Sequence, residues 1–168
     1  MKIRDRIKEL KRVPAKDLIP NERNWRKHPK AQQEALQGIL AEVGYADALI
    51  AYETPEGLKL IDGHLRASAT PETIVPVLVL DVDEDEANKL LASLDPMAAM
   101  AEADAVALDG LLRDVQTGSQ ALADMMAKLA EEAGITPPNF EPASINDQSR
   151  LDEKAKITCP ECGHEFTS

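Results

Sequence analysis

The chain has 168 residues, 43% of them hydrophobic and only 3% aromatic, so its core is made of Leu, Ile, Val, Ala and Met; that length supports one modest core with appendages rather than two full ones. No apolar run is long enough to span a bilayer and no signal-peptide h-region stands at the N-terminus, which predicts a cytoplasmic protein with no membrane partner. The net charge of -11 is uneven: residues 1–30 hold 11 Lys/Arg against 4 Asp/Glu (+7), and residues 31–168 hold 8 against 26 (-18). Affinity for duplex DNA is dominated by phosphate neutralisation, so any DNA contact is expected from the N-terminal arm and the basic cluster after it.

Residues 1–13 form a basic N-terminal arm with two readings, a DNA-contacting arm or, the one favoured, a solvated and partly helical lead-in over Lys2 to Arg12. A polar cluster follows, Asn21-Glu22-Arg23-Asn24-Trp25-Arg26-Lys27-His28. Arg23, Arg26 and Lys27 are fixed cations, His28 joins them as pH falls, and Trp25 can anchor the loop or stack a base. Leu36, Ile39, Leu40 and Val43 then fall at helical spacing, with Gly44 as a stop. Residues 48–52 and 58–61, joined by Thr54-Pro55-Glu56-Gly57, read as a strand, a turn and a strand.

The run Leu60-Ile61-Asp62-Gly63-His64-Leu65-Arg66 ends the second strand in a glycine turn that opens a helix. The first amides of a helix lack internal partners and carry the positive end of its dipole, so an anion is favoured there. Gly63 permits a left-handed turn or close approach of a ligand, and His64 and Arg66 add donors at the same mouth. The alternative reading is a turn glycine, a capping histidine and a solvated arginine. Residues 74–80, nearly all apolar and β-branched, read as a strand buried on both faces.

In this order of parts the chain resembles the ParB N-terminal domain, the family that shares a fold with sulfiredoxin. The match comprises an N-x-R box (Asn21 to His28), a helix, a strand pair, a G-x-x-R box (Gly63-His64-Leu65-Arg66), a Val-Pro-Val strand and an acidic helix, over about residues 14–95. It is most similar to phage and prophage ParB-like proteins, whose second box reads DGHxR. The resemblance implies an α+β mixed sheet with helices and a nucleotide held between the boxes, CTP in the partition proteins and ATP in sulfiredoxin, with Mg²⁺ arriving with the nucleotide. It makes Gly63 the close-approach glycine, Arg66 a phosphate contact and Arg26 the first-box arginine, with Arg23, Asn24, His28 and His64 completing the nucleotide and phosphate site. The partition proteins have Glu and Arg where this chain has His64 and Leu65. Sulfiredoxin's nucleophilic Cys would fall at His64, which excludes sulfinic acid reduction.

Downstream, Asp83 to Glu86 place acids in a helix's first turn, and Ala87, Leu90, Leu91 and Leu94 continue a stripe that Asp95-Pro96 is expected to end. Two further helices, capped by Asp104 and Ser119, complete a helical extension over residues 96–134, and no helix-turn-helix pattern occurs in it. Their stripes are expected to pack on the body or on each other rather than on a second copy. Residues 135–156 have the composition of a flexible linker. The tail, 157–168, carries Cys159-Pro160-Glu161-Cys162-Gly163-His164, half of a zinc ribbon. Structural zinc takes four ligands, so Cys159 and Cys162, with His164 a third candidate, need a second chain or leave the site incomplete.

Walker A, G-x-G-x-x-G, G-x-S-x-G and H-E-x-x-H motifs are missing, so any catalysis belongs to the cleft between the boxes. Three functions follow. The first is a phage-type DNA-transaction protein that binds, and can hydrolyse, a nucleotide. The second is a nuclease in which Asp62 and His64 activate water. The third is a non-enzymatic adaptor for DNA modification or partition, with a homodimer or a DNA-modification enzyme as partner.

Overall fold

The computed structural model describes residues 3–135, 156–158 and 165–167. The chain divides into two compact units, 1–135 and 136–168. In the first, strands β1 (Ile7–Pro14), β2 (Leu49–Thr54), β3 (Gly57–Asp62) and β4 (Ile74–Leu80) form one mixed sheet in the order β1-β4-β2-β3. β4 runs antiparallel to β1 and parallel to β2, and β2 and β3 form a hairpin. Helices α1 (Lys30–Glu42), α2 (His64–Ala69), α3 (Glu84–Ala99), α4 (Ala105–Asp114) and α5 (Gln120–Glu132) complete it.

Because successive strand residues face opposite sides, the sheet carries two apolar layers. Leu49, Ala51, Leu60, Val75, Val77 and Val79 form the main core with Ala15, Leu18 and Ala67 of α2. Tyr52 and Ile61 form the other with Ala87 and Leu91 of α3. β4 is therefore fully buried on one face only; on the other, Ile74 is 63% exposed and Pro76, Leu78 and Leu80 are half-covered. The expectation of two buried faces fails because α3 shelters only part of that side.

The basic lead-in is, from Ile7 on, not helical: it is edge strand β1. Its cations face acids across the fold. Arg6 donates to both carboxylate oxygens of Glu86 and Arg4 is paired with the same group, while Lys8 and Lys11 meet Glu53. Those cations hold the Glu86 and Glu53 carboxyls below the usual range, chiefly through the hydrogen bonds from Arg6 and Lys8. Much of the segment's positive charge thus serves the sheet.

α3 opens with a capping box in which Asp83 accepts from the Glu86 amide at 2.8 Å and Glu86 from the Asp83 amide at 3.2 Å. The helix does not end at Asp95; Pro96 lies inside it. The proline removes one intrahelical hydrogen bond, and the last turn closes through the Met100 amide on the Pro96 carbonyl at 3.1 Å. Asp104 and Ser119 cap α4 and α5 as the sequence predicts.

α5 docks on α1. Gly38 faces Ser119 so closely that a Cβ would lie 2.2 Å from its Oγ, and Glu42 accepts from Thr117 Oγ1 and the Gly118 and Ser119 amides at 2.7, 2.8 and 3.0 Å. Those bonds, the Thr117 hydroxyl first, hold the Glu42 carboxyl below its usual range. Among the described residues no helix is long and apolar enough to cross a membrane. In the second unit β5 (Lys156–Thr158) and β6 (Glu165–Thr167) pair antiparallel, and Cys159, Cys162 and His164 lie outside the described residues.

Candidate functional site

Strand β3 delivers Asp62 to the sheet's edge, and the chain turns there into α2. Gly63 makes the turn at φ +93° and ψ +16°, in the left-handed region that side chains resist. A Cβ would also meet Leu49 Cγ at 2.6 Å. The glycine that the sequence assigns to ligand approach is therefore required first by the core. Beyond it the amides of His64, Leu65 and Arg66 lead α2, and the Ala67 amide is the first to close back, on the Gly63 carbonyl at 2.9 Å.

The first box folds over this turn. Ile19 is laced to β3, its amide donating to the Leu58 carbonyl at 2.8 Å and its carbonyl accepting from Leu60 at 2.9 Å. Asn21, the one polar side chain that is buried among the described residues, accepts from the Arg23 amide at 3.0 Å, and Asn24 accepts from the Arg26 amide at 3.3 Å. Two such turns in succession carry Trp25 and Arg26 around to face α2. The backbone amide of Asn21 donates to His64 Nε2 at 3.1 Å, tying the boxes together.

Between the boxes lies a cavity of about 600 Å³ lined by Asn24, Arg26, His28, Gly63, His64 and Arg66, with Trp25, Lys27 and Asp62 of the same two segments, Gln32 and Leu36 of α1, and Asp95 of α3. Six of the seven nucleotide-site residues expected from the sequence meet here. Arg23 does not: only its amide takes part, in the Asn21 turn. A second cavity of about 530 Å³, more apolar, shares Asn24, His28, His64 and Leu65 with the first.

Each arginine at the cavity is held by carboxylates. Arg66 donates to Asp62 at 2.9 Å and to Asp47 at 2.8 Å, its side chain 17% exposed against 78% for that of Asp47. Arg26 pairs with Asp95, and its guanidinium lies 5.1 Å from the centroid of the exposed Trp25 ring. Asp47 and Asp95 were not legible as site residues: they lie far along the chain from the arginines they hold, and neither stands in a motif. The α2 C-terminus is fixed by Tyr45, whose hydroxyl donates to the Arg66 carbonyl at 3.1 Å and contacts Thr70 Oγ1. His28 Nδ1 lies 3.0 Å from Gln32 Oε1. Burial lowers the His64 pKa from its ordinary value; His28 and Arg26 push the same way and Asp62 opposes them. His64 is therefore neutral near pH 7.

No protein-family model and no curated protein matches the sequence. Among solved structures, the chain is similar to the C-terminally truncated chromosome-partitioning protein ParB from Caulobacter crescentus complexed with CTP-gamma-S, at 14% identity and a TM-score of 0.52 over 76% of this chain and 72% of that one. The fold is ParB-like. A Pnob8-like ParB-N domain aligns at 18% identity and a TM-score of 0.44, over 95% of this chain and 56% of that chain. The ParB-like α+β sheet and helices expected from the two boxes are thus present in the first unit.

Proposed function

We propose that this ParB-like domain binds the phosphates of a nucleoside triphosphate in the cavity between its two boxes. The observation that carries the reading is that Arg26, Lys27 and Arg66 line, together with Gly63, His64 and Leu65 at the start of α2, one space of about 600 Å³, the volume of a ligand site for a small molecule. The similar Caulobacter ParB was solved with CTP-gamma-S, which makes CTP the first ligand to test.

Arg66 keeps a carboxylate partner on each side, yet the Asp47 carboxylate is largely in water and such a pair is weak. A phosphate that also reaches the α2 amides replaces Asp47 while Asp62 keeps the guanidinium aimed. Trp25, exposed at the rim, offers a stacking face for a base. Among the described residues no three His, Cys, Asp or Glu side chains are grouped to hold a metal. A Mg²⁺ arriving with the nucleotide would take phosphate oxygens as ligands and would supply charge neutralisation there.

Hydrolysis, a phage-type role in DNA transactions and a zinc held by Cys159 and Cys162 of two chains, with His164 the alternative third ligand, extend the proposal on sequence grounds. The nuclease reading, with Asp62 and His64 activating water, is weaker because Arg66 occupies Asp62 and Asn21 occupies His64 Nε2. The adaptor reading predicts function without ligand. A thermal-shift screen of the four ribonucleoside triphosphates with Mg²⁺ tests the proposal, since a ligand that binds only the folded chain raises its melting temperature. No shift with any of them contradicts it.

A further inference from the structure

We propose that His64 is a positioning residue, a hydrogen-bond acceptor that pins the first box onto the second and so sets the width of the phosphate cavity. The inference rests on the nucleotide reading for its consequence, though not for its geometry. Among the described residues the bond from the Asn21 amide to His64 Nε2 is the one direct hydrogen bond between the boxes. Upstream the loop is secured to β3 at Ile19, and downstream it is shaped by the turns of Asn21 and Asn24. The pin lies between those anchors, on a residue whose own side chain is buried.

A ring nitrogen that accepts from an amide carries a lone pair. Nε2 is therefore bare and the proton of the neutral ring is on Nδ1. An imidazolium has hydrogens on both nitrogens and cannot accept. Protonation breaks the pin and leaves the Asn21 amide unpaired in a buried place, the costly outcome for a polar group.

The surroundings favour the accepting form. Burial, His28 and Arg26 all disfavour a charge on the ring, with Asp62 alone opposing. Because the folded pKa lies below the ordinary histidine value, the contribution of the pin is complete above that value. It is lost as pH falls through it toward the folded one. The cavity is thus held in shape at neutral pH and loosened by acid.

Three full-length proteins test this: wild type, His64→Gln, whose Oε1 can take the place of Nε2 as acceptor without titrating, and His64→Leu, which cannot accept. Imidazole ¹⁵N spectra should show the Nδ1–H tautomer in the wild type, with the Asn21 amide shift following the His64 titration. CTP affinity should fall about tenfold in His64→Leu at pH 7.5, in line with an unmade buried hydrogen bond. It should stay near wild type in His64→Gln, and across the pH range in which the imidazole spectra show His64 taking up its proton it should decline less in that variant than in the wild type. An Nε2–H tautomer, an Asn21 amide indifferent to His64, or equal pH profiles for wild type and His64→Gln would overturn the pin. If CTP binds none of the three, the spectra still decide the pin, and the nucleotide reading fails separately.

Discussion

At Gly63 the backbone is left-handed and an added Cβ would lie 2.6 Å from Leu49 Cγ, in the fully buried core. Gly63→Ala is therefore expected to destabilise the domain by about 2 to 4 kcal/mol, from left-handed strain together with overpacking, as read by urea denaturation. A stability within about 0.5 kcal/mol of wild type, the range for ordinary surface substitutions, would show that Leu49 moves aside freely. The arginines make an opposed pair of predictions. Arg26→Ala should weaken triphosphate binding by about 1.5 to 3 kcal/mol, the range for hydrogen bonds to a charged group. Asp95→Asn releases Arg26 from its internal anion and should strengthen binding about threefold, as expected for losing a half-exposed competitor. Isothermal titration measures both, and a weaker Asp95→Asn complex would mean that Asp95 aims Arg26 rather than competing for it.

α5 is attached to α1 through Glu42, whose carboxylate caps the turn at Thr117 to Ser119. With its folded pKa depressed, Glu42 contributes stability that is present above the ordinary carboxyl value near 4.5 and lost as pH falls below it through the folded value. Glu42→Gln keeps an acceptor but cannot titrate, so its stability should change less than wild type between pH 5 and 3, by thermal denaturation. Parallel profiles would place the acid sensitivity elsewhere, at Glu22, Glu53 or Glu86, whose carboxyls are also lowered. What the sequence disclosed at this scale had local causes. The turn at Thr54 to Gly57 announces the hairpin, and Asp83, Asp104 and Ser119 announce helix starts, because each acts within four residues of itself. β1 was illegible because Ile7 and Leu10 stand at helical spacing among charges, and only β4 and the distant Glu53 and Glu86 make it a strand. For the same reason both boxes could be found in the sequence, whereas the Arg26–Asp95 pair and the Asn21–His64 bond could not.

Across the whole molecule the unequal charge of the two ends is partly resolved inside the fold. Four cations of the first twelve residues, Arg4, Arg6, Lys8 and Lys11, already face carboxylates, and removing residues 1–12 would strip most of an edge strand rather than a free arm. The tail makes an independent prediction from ligand count. If Cys159 and Cys162 of two chains share a tetrahedral zinc, metal analysis gives about one zinc per two chains and a chelator dissociates the dimer, whereas one zinc per strict monomer points to His164 as third ligand. Whether the two boxes form one phosphate site is read by an amide NMR titration of the full-length protein with CTP and Mg²⁺. The largest shifts should fall on His64, Leu65 and Arg66 and on residues 24–28, with the Trp25 indole moving as well. No shifts at saturating CTP, or shifts confined to β1, α4 and α5, would contradict it.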